Sequence, residues 1–235
     1  MPDVVAAPAK LTRSLRITGV RADGYHLIDA EMVSLDLADT LTLDDGEGLV
    51  VRGAGDAVPV DDDNLVVKAL RAVGRRAHVT IDKRIPAGAG LGGGSADAAA
   101  VLRWAGVTDL ELASSIGADV AFCLVGGRAR VTGVGEQVAP LSFEPRTFTL
   151  LTPPVHCATR AVYRAWDDLG GPTADGPNDL EPAALAVAPE LATWRDRLGD
   201  LTGLTPVLAG SGSTWFVDGA YEADDLVVVT TIDRP

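Results

Sequence analysis

Gly88, Gly90, Gly92, Gly93 and Gly94 crowd into one short stretch, IPAGAGLGGGSADAAAVL (Ile85–Leu102), and alanines follow at once. Glycine loses more backbone entropy on folding than any other residue, so such a cluster costs stability and must be needed. The segment before it, RRAHVTIDKRI, sets Ala77, Val79 and Ile81 against His78, Thr80 and Asp82, the alternation of a half-buried strand. A helix is predicted over Ser95–Trp104. Strand, bare loop and helix in that order place backbone amides at a helix N-terminus, where the dipole favours an anion and glycine lets the backbone come close to it. A tight turn accounts for one glycine pair. The whole cluster favours a phosphate cradle built from Pro86, Ala87, Gly88, Ala89, Gly90, Leu91, Gly92, Gly93, Gly94 and Ser95. Ser95 is placed to cap the helix or to offer its hydroxyl to a phosphate or a metal.

Elsewhere strands and helices mix without regular alternation, which fits the α+β class. LRITGV and ADTLTLDD alternate as strands do. DDDNLVVKALRAVG reads as a helix, with aspartates at its N-terminal end and Gly74 at its C-terminal end. DLELASSIG reads as a short helix and the apolar ADVAFCLVGG as a strand. A second region opens near Phe148. There FTLLTPP reads as a strand, ATRAVYRAWDDL as a helix, GGPTADGPNDLEP as a loop and ALAVAPELATWRDRLGDL as helical. TPVLAGSGSTWFVDG reads as strand, turn and strand, and DDLVVVTTIDRP as a last strand. Two domains, 1–145 and 146–235, are expected.

The chain has 235 residues and a net charge of −13. So acidic a surface repels nucleic acid and anionic lipid, and neither is an expected partner. An anionic small molecule must then be held by local donors. Lysine occurs only as Lys10, Lys68 and Lys83, so a lysine in APAKL is not a casual choice. No apolar run is long enough to span a bilayer, and MPDVVAAPAK lacks the features of a secretory signal, so the expected location is the cytoplasm. Cys123 and Cys157 fit no metal spacing and read as buried thiols in a reducing compartment. Monomer and homodimer are both open.

Which cradle is it? A Walker A loop needs Gly-Lys, and no lysine here follows a glycine. Gly88, Gly90 and Gly93 satisfy the dinucleotide pattern, but the acidic residues at the right distance, Asp109 and Glu111, fall in a segment that reads as helix. The protein-kinase motifs and the nucleophile elbow are absent. PAGAGLGGGSADAAAVL resembles instead the central phosphate-binding motif of the GHMP kinases. APAKLTRSL (Ala7–Leu15) and LAGSGSTWF (Leu208–Phe216) resemble that family's first and third motifs, in the right order. RADGYH (Arg21–His26), DNLVVKA (Asp63–Ala69), GADVAF (Gly117–Phe122) and GVGEQVAPL (Gly133–Leu141) are similar to the branch whose alcohol substrate carries a cytidylyl group.

The resemblance implies an N-terminal domain like ribosomal protein S5 domain 2, a ferredoxin-like C-terminal domain, ATP as co-substrate between them, and a divalent metal, Mg²⁺, with ligands unassigned. It implies phosphoryl transfer to a small-molecule alcohol. Asp119 would be the proton acceptor and Lys10 the active-site cation that holds it ionised. Tyr25 would stack on the cytosine and His26 bond its polar edge. Thr159 and Tyr163 would also contact substrate, although a core-facing helix residue explains Tyr163 as well. Thr12 stands where the first motif usually has asparagine. Asn64 would lie near the adenine, with a helix cap as the competing role. Gly210, Ser211 and Gly212 would bring backbone to the ATP site, with a plain hairpin as the alternative. His78 and His156 receive no role. Mevalonate- or homoserine-type alcohols, or a catalytically silent nucleotide-binding relative, are the other outcomes this pattern allows.

Overall fold

A computed structural model describes residues 1–53 and 58–234. Its frame is a hairpin of two long strands, β1 (Asp3–Val20) and β2 (His26–Asp44), paired antiparallel from Asp3–Leu43 to Val20–His26. The other edge of β2 is divided. Thr40–Asp44 pairs with β4 (His78–Asp82), and Ile28–Val33 pairs with β5 (Arg128–Gly133). β3 (Gly48–Arg52) extends the sheet beyond β4, and β6 (Gln137–Pro140) extends it beyond β5. β3 and β4 run parallel, which demands a crossover, and α1 (Leu65–Ala72) lies on it.

Two helices cover this sheet, α2 (Gly93–Trp104) and α4 (Val120–Val125), and α3 (Leu110–Ile116) packs on the helices. α2 buries Ala96 and every residue from Ala98 to Leu102. Alanine's small side chain lets it pack on β1, β2, α1 and α4 together. The alanine run after the glycines is therefore a core feature.

The second sheet comprises β7 (Thr147–Leu151), β8 (Val207–Leu208), β9 (Trp215–Asp218) and β10 (Leu226–Thr230), in the order β10-β7-β9-β8 and antiparallel throughout. Numbered within the sheet, that order is 4-1-3-2. α5 (Thr159–Asp168), α6 (Glu181–Val187) and α7 (Leu191–Thr202) fall between β7 and β8. The connection from β9 to β10 carries no helix. Backbone hydrogen bonds join the two sheets' halves of the chain at separate points. Leu15 N donates to Pro177 O (2.9 Å), Asp179 N to Leu15 O (2.9 Å), Ile232 N to Ser34 O (3.0 Å) and Thr214 N to Ala89 O (3.1 Å). No helix among the described residues is long and apolar enough to cross a membrane.

The architecture is the α+β mixture expected, with local corrections. ADVAFCLVGG is a helix, α4, followed by Gly126 and Gly127 at positive φ. A short apolar run buried on all sides has no period to tell helix from strand. α2 begins at Gly93, two residues before the predicted start, with left-handed Gly92 as its N-cap. Ser95 thus lies in the first turn and caps nothing. The helical run 184–201 is broken: Ala188 leaves helical geometry before Pro189, as a residue preceding proline tends to do, and α6 and α7 are separate. The aspartates 61–63 lie before α1, outside its first turn, and Asn64 is its N-cap.

Candidate active site

Lys10 and Thr12 stand two apart on β1, so their side chains leave the same face. Register shifts between Pro8 and Lys10 and between Thr12 and Ser14 bracket the pair. Bulges of this kind re-aim side chains and release ladder groups. Lys10 N is bonded instead to Leu91 O of the glycine loop (3.0 Å). Lys10 Nζ donates to Thr12 Oγ1 (3.0 Å) and lies 3.3 Å from Asp119 Oδ2. The lysine side chain is only 6% exposed, and the carboxylate 32%. Asp119 occupies the N-cap position of α4, yet its side chain makes no cap bond. It is turned toward a cavity of about 520 Å³, which Lys10, Thr12 and Asp119 all line.

The glycine loop forms one wall of that cavity. Pro86 to Gly90 and Gly92 to Ser95 line it, while Leu91 is buried in the core and contributes its carbonyl to Lys10. Gly92 has φ +68°, and a Cβ there would come 2.7 Å from Lys10 Cγ. Beneath the loop lies a buried cluster that no local pattern announced. Lys83 Nζ bonds to Asp39 and to Asp97 Oδ2 (2.8 Å), and Asp39 Oδ1 also accepts from Arg84 N (2.6 Å) and Ile85 N (2.8 Å). Asp39 thereby anchors the strand side of the loop, and Lys83 ties it to α2. Burial works against the ammonium, but the two carboxylates outweigh it and hold Lys83 above its usual range. Burial, with Asp39 adding to it, pushes Asp97 up to about 7 against the pull of Lys83. Lys83 lines the cavity too. Two of the chain's three lysines therefore converge on one site of an acidic protein.

The third wall is the turn between β8 and β9. Gly210, Ser211 and Gly212 line the cavity, and the turn is closed by Gly212 N donating to Ala209 O (3.0 Å). Buried Asn178 steadies it from behind, its amide nitrogen donating to Leu208 O (2.8 Å) and Gly210 O (2.7 Å). Asp179 beside it accepts from Arg16 Nη1 (2.6 Å) and Ile17 N (2.9 Å). Sequence reading passed over both as loop. The one available signal was a consecutive Asn-Asp pair directly before a helix. His156, given no role, also lines the cavity, with its ring against Gly88.

Asn64 is not among the residues lining the cavity, although its neighbours Pro59 and Leu65 are, and both ends of its amide are used: Oδ1 accepts from Val66 N (2.9 Å) and Nδ2 donates to Pro59 O (2.6 Å). Its polarity serves the helix start, as the competing reading had it. Cys123 and Cys157 are buried and free. Burial, reinforced by Asp119, pushes the Cys123 thiol up to about 12, so it is no nucleophile.

A second cavity, about 890 Å³, adjoins the first. Thr159 and Tyr163 line both. Thr159 Oγ1 is hydrogen-bonded to Ser211 Oγ (3.0 Å). Burial raises the Tyr163 phenol, and Asp119 adds to the shift, so the phenol stays a neutral donor. Tyr25 is 63% exposed at the cavity's edge, with the Arg21 guanidinium 5.9 Å from its ring centre. His26 is not a loose side chain. Its Nε2 meets Asp167 Oδ1 (2.8 Å), and its ring lies 4.8 Å from that of Tyr163 and edge-on to Trp166 at 5.5 Å. Tyr163, Trp166 and Asp167 fall at i, i+3 and i+4 on α5, one face of a helix closing on one imidazole. Only Nδ1 is left to meet a ligand.

Comparison with known proteins agrees with this geometry. The family model "GHMP kinases N terminal domain" matches residues 64–127. The 4-diphosphocytidyl-2-C-methyl-D-erythritol kinase of Paracoccus denitrificans is 38% identical over 233 residues, covering 90% of this chain and 85% of the relative. That of Delftia acidovorans is 40% identical over 246 residues, covering 90% and 85%. A crystal structure of a 4-(cytidine 5'-diphospho)-2C-methyl-D-erythritol kinase superposes with a TM-score of 0.77 at 33% identity, covering 97% of this chain and 98% of that one. Homoserine kinase from Cytophaga hutchinsonii shares the fold, with a TM-score of 0.63 at 19% identity. The chain belongs to the 4-diphosphocytidyl-2-C-methyl-D-erythritol kinase family of GHMP kinases.

Proposed function

We propose that this protein transfers the γ-phosphoryl group of ATP to the 2-hydroxyl of 4-diphosphocytidyl-2-C-methyl-D-erythritol, a step toward isoprenoid precursors by the non-mevalonate route. The observation that carries the reading is the Lys10–Asp119 pair in a cavity walled by the glycine loop and opening onto a second, aromatic-edged cavity. Phosphoryl transfer asks a protein for position and charge more than for covalent chemistry. The amides of the glycine loop and the start of α2 would hold the phosphates. The Asp119 carboxylate would take the proton of the attacking hydroxyl, and Lys10 would stabilise the oxygen as it becomes negative. Thr12 and Tyr163 would orient the alcohol end. Ser95 lines the cavity and its hydroxyl makes no hydrogen bond among the described residues, so it fits as an oxygen donor to Mg²⁺ held mainly by the nucleotide; bound there, the metal neutralises phosphate charge. The 4-1-3-2 order of the second sheet supports a ferredoxin-like domain over 146–235, with an S5 domain 2-like domain over 1–145.

ADP release from ATP with the cytidylyl alcohol, mevalonate, homoserine and galactose tests the reading. The cytidylyl alcohol should be turned over by preference. Turnover of none would leave a silent nucleotide-binding relative.

Tyr25 carries a narrower expectation. A stack on the base is made before the reaction and kept through it, so it contributes uniform binding. Tyr25→Ala should raise KM for the cytidylyl alcohol about 5- to 150-fold and leave kcat within about threefold, and Tyr25→Phe should be nearly silent. KM for ATP should hold. An unchanged alcohol KM would make Tyr25 a surface residue and reopen the non-cytidylyl substrates.

A further inference from the structure

In a chain with 33 acidic and 20 basic residues, most arginines have an acidic neighbour. Arg13, Arg16, Arg21, Arg128, Arg130, Arg146 and Arg197, for example, all have carboxylate partners. Arg160 and Arg164 have none among the described residues, and neither makes a side-chain hydrogen bond there. They lie one turn apart on α5, and both line the second cavity. Like charges at i and i+4 weaken a helix by a few tenths of a kcal/mol, so the pair carries a small cost. The carboxylates lining that cavity are engaged elsewhere. Asp23 is held by Arg21 (2.5 Å), Asp167 by His26 (2.8 Å), and Glu136 accepts from Val134 N (2.6 Å). Two guanidiniums, each with a planar fork of N–H donors, are thus left to face a ligand.

Their position identifies the ligand's chemistry. Thr159 and Tyr163, their neighbours on α5, line both cavities and mark the passage between them. A molecule with its base beside Tyr25 and its alcohol beside Asp119 must run through that passage. Under the function proposed above, what joins base to alcohol is a diphosphate diester, a dianion. We propose that Arg160 and Arg164 form the binding site for that diphosphate bridge. They would hold it by charge-assisted hydrogen bonds and thereby select a nucleotidyl alcohol over a free one.

Calorimetry on the full chain, with CDP and cytidine as probes, isolates the phosphate contribution. Wild type should bind CDP about tenfold or more tightly than cytidine. In the double variant Arg160→Gln/Arg164→Gln the advantage of CDP should fall about tenfold, while cytidine affinity and KM for ATP stay within about twofold. Arg160→Lys/Arg164→Lys should restore part of the advantage, since charge returns without the fork. A full CDP advantage retained in the Gln variant overturns the assignment. So does a wild type that turns over the cytidylyl alcohol but binds CDP no better than cytidine, and in that case the function stands. A wild type that neither binds CDP nor turns over the alcohol removes both the assignment and the function beneath it.

Discussion

Asp119→Asn should lower kcat by about 10²–10⁴-fold, the usual worth of a positioned proton acceptor. The amide is nearly isosteric with the carboxylate but cannot take the hydroxyl's proton. Folding should survive, because the Asp119 side chain makes no cap bond to α4 and is a third exposed. Removing the carboxylate leaves the buried Lys10 ammonium with one remaining partner among the described residues, Thr12 Oγ1, so a modest loss of stability should accompany the kinetic one. KM for ATP should change little, since the glycine loop is untouched. The comparison is steady-state ADP release by both proteins at saturating alcohol. A variant that keeps more than about a third of wild-type kcat would take Asp119 out of the proton-accepting role.

Gly92→Val should damage nucleotide binding and catalysis together. Gly92 holds φ +68° as the left-handed N-cap of α2. That conformation costs an L-residue about 1–2 kcal/mol, and a β-branched residue more. The new Cβ would also lie 2.7 Å from Lys10 Cγ and 3.2 Å from Cε. Lys10 is buried, so its stem can yield only by moving the ammonium away from Asp119. An affinity for ATP lower by about tenfold or more, and a kcat lower by about 100-fold or more, are expected from the combined strain and displacement. Gly176→Ala is the control: Gly176 lines neither cavity, has ordinary φ, and its nearest neighbour to a new Cβ, Glu181 Oε2, is at 3.8 Å. Calorimetry with ATP and the kcat of each folded variant decide it. Normal ATP affinity in a folded Gly92→Val protein would reduce the loop to a turn.

The parts of this molecule legible from its sequence are those with a local signal. Alternation marked β4, the end charges and Gly74 marked α1, and the glycine cluster marked the cavity wall. Lys10 and Asp119 were reached through motif resemblance, because nothing in APAKL or GADVAF by itself says that two side chains 109 positions apart are in contact. Where the signal was absent, reading failed for physical reasons. α4 is buried on every side, so its apolar run carries no period. Asp39, Lys83 and Asp97 look like ordinary surface charges until the fold places one ammonium between two carboxylates. The grip of α5 on His26 was invisible because its partners come from a distant helix. The cap that Asn64 makes was legible, since a residue directly before an apolar helix is placed to make it.

The backbone bonds that join the two halves have a consequence for how the halves can move. Leu15 is clasped on both sides by Pro177 and Asp179, Ser34 accepts from Ile232, and Ala89, inside the glycine loop, accepts from Thr214. Gly90 lies so close to the backbone of Ala209 and Gly212 that no side chain fits between them. Leu15 and Ala89 line the cavity, and swinging the halves apart would break several of these bonds at once. The two halves are therefore joined as a socket and not hinged as a jaw.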